Sequence, residues 1–267
     1  MKNPYWGLWA LLAAALAFFA VLSFWPDGIR VGGMDLKTPS LGRIIGDDAE
    51  DSDTTVTDSL DANGRLPNGH HPKGWRAPMD TTAKNILFIG DSMLEGLGER
   101  LAAYCKKSGH TLIEVIWYSS STKCWGETAR LTELINKYHP NYIMVCLGAN
   151  ELYVPNIKTA RRPLLKKMLA EIGDTPYLWI GPPNWIEDTG INDLLKQEVD
   201  EGCFYYSAND KFTRSRDGAH PTRASAHKWM DRVIKWMKTS GAYPIRLDYP
   251  GEGISRATRI VVYQPPV

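Results

Sequence analysis

From Lys84 to about Met237 the chain alternates short apolar runs with segments of helical periodicity, and this alternation most constrains its fold. Asn85-Ile86-Leu87-Phe88-Ile89 closes on Gly90, the pattern of a short strand buried on both faces. A helix is expected from about Met93 to Lys107, with Leu94, Leu97 and Leu101 on one side. Further strands are predicted at Thr111 to Tyr118, Asn141 to Leu147, Tyr177 to Ile180 and Cys203 to Tyr206. Helices are predicted between them at Glu127 to Tyr138, Thr159 to Ile172 and Ile191 to Val199. A closing helix from Pro221 to Met237 starts on proline, whose missing N–H costs nothing there. Such a chain is expected to form a mostly parallel five-stranded sheet with helices on both faces. Ligands then bind at the carboxyl ends of the strands, so any chemistry belongs in the loops that follow them.

The chain before this region is of another kind. Tyr5 to Trp25 is a run of 21 uncharged residues, with Trp6, Trp9 and Trp25 near its ends. At about 1.5 Å per residue it is long enough to span a hydrocarbon core of about 30 Å. Indoles suit the headgroup region. The rival reading is a cleaved signal peptide, but Ser23-Phe24-Trp25-Pro26 lacks the small residues of a cleavage site. Residues 1–25 are therefore expected to be an uncleaved transmembrane anchor. Lys2 precedes it, whereas Arg30, Lys37 and Arg43 follow, so positive charge does not mark the orientation. The short N-terminus ahead of a single span favours an extracytoplasmic domain.

Residues 26–82 read as a flexible tether: an acidic run at Asp47-Asp48-Ala49-Glu50-Asp51-Ser52-Asp53 is followed by turn signals at Asn63-Gly64 and Pro67-Asn68-Gly69. The adjacent His70 and His71 lie in this stretch and are read as solvated, so no metal is expected. The globular domain is expected over residues 83–240. In the tail, residues 241–267, Ile260-Val261-Val262-Tyr263 suits either an added strand or a segment docking on a partner, and both remain open.

Composition excludes some functions. Lys and Arg total 31 against 30 Asp and Glu, and no basic cluster is interleaved with aromatics, so no nucleic-acid partner is expected. The four cysteines, Cys105, Cys124, Cys146 and Cys203, have no metal-ligand spacing. Cys146 reads as a buried small hydrophobe, and Cys105 with Cys124 is a candidate disulfide in an exported domain.

Three polar blocks fall at predicted strand ends: Gly90-Asp91-Ser92, Leu147-Gly148-Ala149-Asn150-Glu151 and Asp217-Gly218-Ala219-His220-Pro221. Singly, each has a plain explanation. Asp91 or Ser92 can cap a helix, asparagine is common in turns, and a loop histidine is usually solvated. Together they place Ser92, Asn150 and His220 on one edge of one sheet. This combination resembles the SGNH/GDSL hydrolase superfamily, with its Gly-Asp-Ser, Gly-x-Asn and Asp-x-x-His blocks, over roughly residues 84–238.

The resemblance implies a flavodoxin-like three-layer α/β/α sandwich and an ester hydrolase without cofactor or metal. It makes Ser92 the nucleophile, His220 its general base and Asp217 the group that orients His220. It also implies an oxyanion hole from the Ser92 N–H and the Asn150 amide. The family's third donor is usually a glycine N–H after strand two. Here the loop reads Ser119-Ser120-Ser121-Thr122-Lys123-Cys124-Trp125-Gly126, which leaves Ser121, or else Gly126, for that place. Glu151 stands where the family often has aspartate, and its role is open. Trp125, Tyr153 and Trp185 lie in loops near the expected rim and are candidate substrate contacts.

No apolar lid separates the blocks, and aromatic faces suit sugar rings. The leading expectation is an O-acetyl esterase acting on an envelope or extracellular glycan. Its rivals are a lysophospholipase or thioesterase, an O-acyltransferase, and a glycan-binding or assembly protein without turnover.

Overall fold

The computed structural model describes the backbone of residues 29–31 and 34–36, Gly64, and residues 72–265. The expected anchor and most of the expected tether lie outside these residues. Among the described residues no helix is long and apolar enough to cross a membrane. Two three-residue strands, β1 (Ile29–Val31) and β2 (Met34–Leu36), pair antiparallel within a separate N-terminal unit.

The main unit is built on six parallel strands: β3 (Asn85–Gly90), β4 (Thr111–Trp117), β5 (Tyr142–Cys146), β6 (Tyr177–Ile180), β7 (Phe204–Tyr205) and β8 (Arg259–Tyr263). They lie in the order β7-β6-β5-β3-β4-β8. The first five give the flavodoxin-like order that the resemblance implies. The sixth corrects the expected count of five: Arg259–Tyr263 adds a parallel strand outside β4.

Alternate residues of β3 enter different layers, as the two-residue period of a strand requires. Ile86 and Phe88 meet Leu97 and Leu101 of α1 (Leu94–Ser108) and Trp229, Val233 and Met237 of α6 (Arg223–Ser240). Leu87 and Ile89 face the opposite layer. Trp125 of α2 (Thr122–Gly126), Leu131 of α3 (Arg130–Tyr138), Leu165 of α4 (Ile157–Ile172) and Leu194 of α5 (Ile191–Glu198) fill that side. Each large apolar side chain buried this way contributes about 1.5–3 kcal/mol.

Residues 72–82, expected in the tether, are instead held by the far end of the chain. Ala77 N donates to Ala242 O at 2.8 Å, and Arg246 N donates to Asp80 O at 2.8 Å. Trp75 packs edge-on against Tyr243, with ring centroids 5.4 Å apart. The tail then crosses α1, where the buried Arg100 donates through Nη1 to Gly251 O and Gly253 O and through Nε to Asp231. Asp248 N donates to Ser108 Oγ, and Ser255 N donates to Glu99 O. These contacts deliver the tail to the free edge of β4.

The four cysteines are free thiols, which corrects the candidate Cys105–Cys124 pair. Cys105 is buried in α1, where desolvation pushes its thiol up to about 12, whereas Cys124 lies in α2 on the other side of the sheet.

Candidate active site

Ser92 follows β3, the strand flanked by β4 on one side and β5 on the other, at the point where the strand order reverses. Gly90 permits the tight exit. A Cβ there would sit 2.3 Å from Cys146 O and 2.2 Å from Leu94 Cδ1. Asp91 is buried, and its Oδ1 accepts the Met93 N–H at 2.9 Å. This bond closes the turn ahead of α1, whose N-cap residue is Met93 and which has no side-chain cap. Burial raises the Asp91 carboxyl to about 7.

The histidine arrives on a hairpin. Ser215 N donates to His220 O at 2.8 Å and Thr222 N to Thr213 O at 2.8 Å, closing the loop that carries Asp217 and His220. Gly218 at its tip has φ +72°, a conformation glycine adopts without strain. Arg214 braces the hairpin by donating to Ala219 O and, through Nη2, to Pro183 O and Asn184 O.

His220 Nε2 lies 2.8 Å from Ser92 Oγ, and His220 Nδ1 lies 2.9 Å from Asp217 Oδ2. Ser92, His220 and Asp217 form a hydrogen-bonded serine triad. The other carboxylate oxygen of Asp217 accepts the N–H groups of His220 (3.0 Å) and Ala219 (2.8 Å). Together with the imidazole contact, these bonds hold the Asp217 carboxyl down at about 2.

The loop after β4 supplies the next group. It turns through Ser119 at φ +56° into Ser121, which is extended at φ −144° and opens α2 by accepting Cys124 N. Among the described residues no acceptor takes the N–H of Ser92 or of Ser121, so both are free to donate. Gly126 is placed differently. It packs α2 on α4, where a Cβ would lie 2.7 Å from Leu164 Cβ and 3.0 Å from Leu164 Cα and O. Its glycine is explained by packing, which sets it aside as the alternative to Ser121.

Asn150 sits in the loop after β5 and joins the other two loops. Its amide donates to Ser120 O at 2.9 Å and to Asp91 Oδ2 at 3.3 Å. Glu151 is fully buried and braces the same junction. Its carboxylate accepts Thr122 N and Oγ1, each at 2.8 Å, and Arg161 Nε at 2.6 Å. The extra methylene relative to aspartate lets one side chain reach both α2 and α4.

The three aromatics do not gather at the site. Trp125 is fully buried, with its ring edge-on to Trp117 at 5.3 Å and its Nε1 donating to Ser120 Oγ. This corrects its assignment as a substrate contact. Trp185 is half-buried and donates through Nε1 to Ala149 O, while Tyr153 is exposed. Neither lines the cleft at Ser92.

That cleft has a volume of about 530 Å³, with Ser92, His220 and Asp217 in its wall. Glu95, Tyr118, Ser119, Ser215 and Arg223 complete most of its polar lining. Sequence reasoning passed over these residues because they belong to no motif. Tyr118 alone carried a signal, as the last residue of a predicted strand. Among the described residues no cluster of three or more His, Cys, Asp or Glu is arranged to hold a metal.

No protein-family model matches this chain, and no curated protein matches it by sequence. Solved structures match over part of the chain. TesA matches at 20% identity and TM-score 0.45, over 58% of this chain and 98% of that one. The psychrotrophic esterase EstA from Pseudoalteromonas sp. matches at 16% identity and TM-score 0.45, over 58% and 96%. A lipase/acylhydrolase from Enterococcus faecalis matches at 17% and 0.43, over 58% and 95%. At these values the likeness carries no argument, and any reading of the chemistry rests on the side chains described above.

Proposed function

We propose that this chain is a serine ester hydrolase of the SGNH type that works through an acyl-enzyme on Ser92. One observation carries the reading: the hydrogen-bonded chain from Ser92 Oγ through His220 to Asp217 at the switch point of the sheet. His220 Nε2 takes the Ser92 proton as Oγ attacks the ester carbonyl. Asp217 keeps the other ring nitrogen protonated and supports the imidazolium that forms. The carbonyl oxygen becomes an oxyanion that accepts the N–H groups of Ser92 and Ser121. Asn150 becomes a third donor by exchanging its longer contact, to Asp91, for the oxyanion. His220 then protonates the leaving alcohol, and water repeats the sequence in reverse roles to release the acid.

The favoured substrate is an O-acetylated glycan of the cell envelope or exterior, reached by a catalytic domain tethered to a membrane through residues 1–25. The polar lining of the cleft supports this, because walls formed by Glu95, Ser119, Ser215 and Arg223 suit a hydroxylated alcohol such as a sugar better than an apolar one. The full chain in detergent is to be compared on p-nitrophenyl acetate, octanoate and palmitate, beside Ser92→Ala. Acetate is expected to be preferred, and both hydrolysis and fluorophosphonate labelling are expected to vanish in Ser92→Ala. Preference for palmitate would place the chain with lysophospholipases or thioesterases. Unchanged turnover in Ser92→Ala would overturn the triad, and neither turnover nor labelling in the native chain would indicate a binding or assembly protein.

A further inference from the structure

The cleft at Ser92 is asymmetric about the nucleophile. His220 and Asp217 line it, while Ser121 and Asn150 do not. In the tetrahedral intermediate the oxyanion must point toward its donors, and the leaving oxygen must lie within reach of His220 Nε2. A cleft bounded by Ser92 and His220, and not by the Ser121 and Asn150 donors, is therefore where the alcohol half of the ester lies. Its size agrees, since about 530 Å³ is far more than an acetyl group fills and falls within the range of small-molecule sites, roughly 300–1,000 Å³.

One pair on its wall is built for hydroxyl recognition. Glu95 is on the first turn of α1, one helical turn after the nucleophile, and Tyr118 directly follows β4. Tyr118 OH donates to Glu95 Oε1 at 2.5 Å. That leaves Glu95 Oε2 and the Tyr118 oxygen lone pairs, in the cleft wall, as acceptors for a guest carrying O–H donors. Tyr118 is also fixed from behind, because its N–H donates to Tyr263 O of β8 at 3.2 Å. Trp117 and Tyr263 pack edge-to-face at 6.0 Å and both contact the Arg130 guanidinium, at 4.7 and 4.4 Å, which further secures this end of the sheet. The added strand thus positions a cleft residue.

We propose that Glu95 and Tyr118 form a leaving-group subsite that selects a polyhydroxylated alcohol, such as a sugar ring, by accepting its hydroxyl protons. This rests on the esterase reading and adds which residues recognise the alcohol. The test uses the full chain and two acetate esters: p-nitrophenyl acetate, whose leaving group has no further hydroxyl, and 6-O-acetylglucose. For native protein, Glu95→Gln and Tyr118→Phe, the ratio of kcat/KM on the sugar ester to that on the phenyl ester is measured. Each substitution is expected to lower this ratio about tenfold or more, chiefly through KM for the sugar ester. A ratio unchanged in both variants overturns the subsite, because a merely structural loss lowers both rates together. So does native protein that cleaves the phenyl ester through Ser92 but leaves the sugar ester intact. Native protein that cleaves neither ester overturns the esterase reading itself.

Discussion

Asp217 is exposed yet has its carboxyl held at about 2, so it remains ionised throughout the working range of an esterase. Its depressed value means that its contribution to the hairpin is present above the ordinary carboxylate range and is lost only as pH falls toward 2. Loss of activity on the acid side therefore does not belong to Asp217. Asp217→Asn is expected to lower kcat by roughly 100-fold or more, because the imidazole loses its orienting acceptor. The acid limb of the pH–rate profile is expected to survive in that variant; its disappearance would assign the titration to Asp217. Asn150→Ala is expected to lower kcat by about 100- to 1,000-fold with a smaller change in KM, as befits a donor used chiefly in the transition state.

At the scale of elements, two positions show how packing sets the site. Gly126 lets α2 approach α4, and its Cβ would meet Leu164 backbone atoms rather than a flexible side-chain tip. Gly126→Ala is expected to cost about 1–3 kcal/mol, read as a lower midpoint in thermal or urea denaturation. Glu114 projects from β4 against Gly98 of α1, and burial followed by repulsion from Glu99 and Glu95 raises its carboxyl to about 7. A raised folded-state value means stability that is present below about pH 4.5 and lost as pH rises through about 7. Glu114→Gln removes that ionisation. The variant is expected to be more stable than the native chain at pH 8 by on the order of 2 kcal/mol. The gain is expected to fade near pH 4, and calorimetry at the two pH values checks it.

At the scale of the whole molecule, the two ends of the main unit hold each other. Residues 77–80 pair with residues 242–246, and the tail then carries β8 past α1. Removing residues 241–267 would strip Ile245 and Leu247 from the core and leave the buried Arg100 without its Gly251 and Gly253 acceptors. Asp231 would still pair with its Nε, but buried donors left without acceptors are costly. The chain ending at Ser240 is accordingly expected to lose cooperative unfolding by circular dichroism, although every motif residue is retained.

The sequence by itself determined the parallel sheet and its helices, because buried strands and amphipathic helices write their periods into short local windows. Tyr177 to Ile180 matches β6 residue for residue, and most other elements differ by one to three positions at their ends. It also singled out Ser92 and Asn150 after strand ends and His220 just ahead of the closing helix. Tertiary structure alone decided the remainder, which depends on approaches between residues far apart in the chain. Trp125 reads as a rim aromatic, but the short α2 turns it inward against Trp117. Glu151 has no local partner, and only the arrival of Thr122 and Arg161 makes it a brace. The tail's choice between strand and docking segment was settled by the unfilled edge of β4, a vacancy that exists only once the sheet has formed.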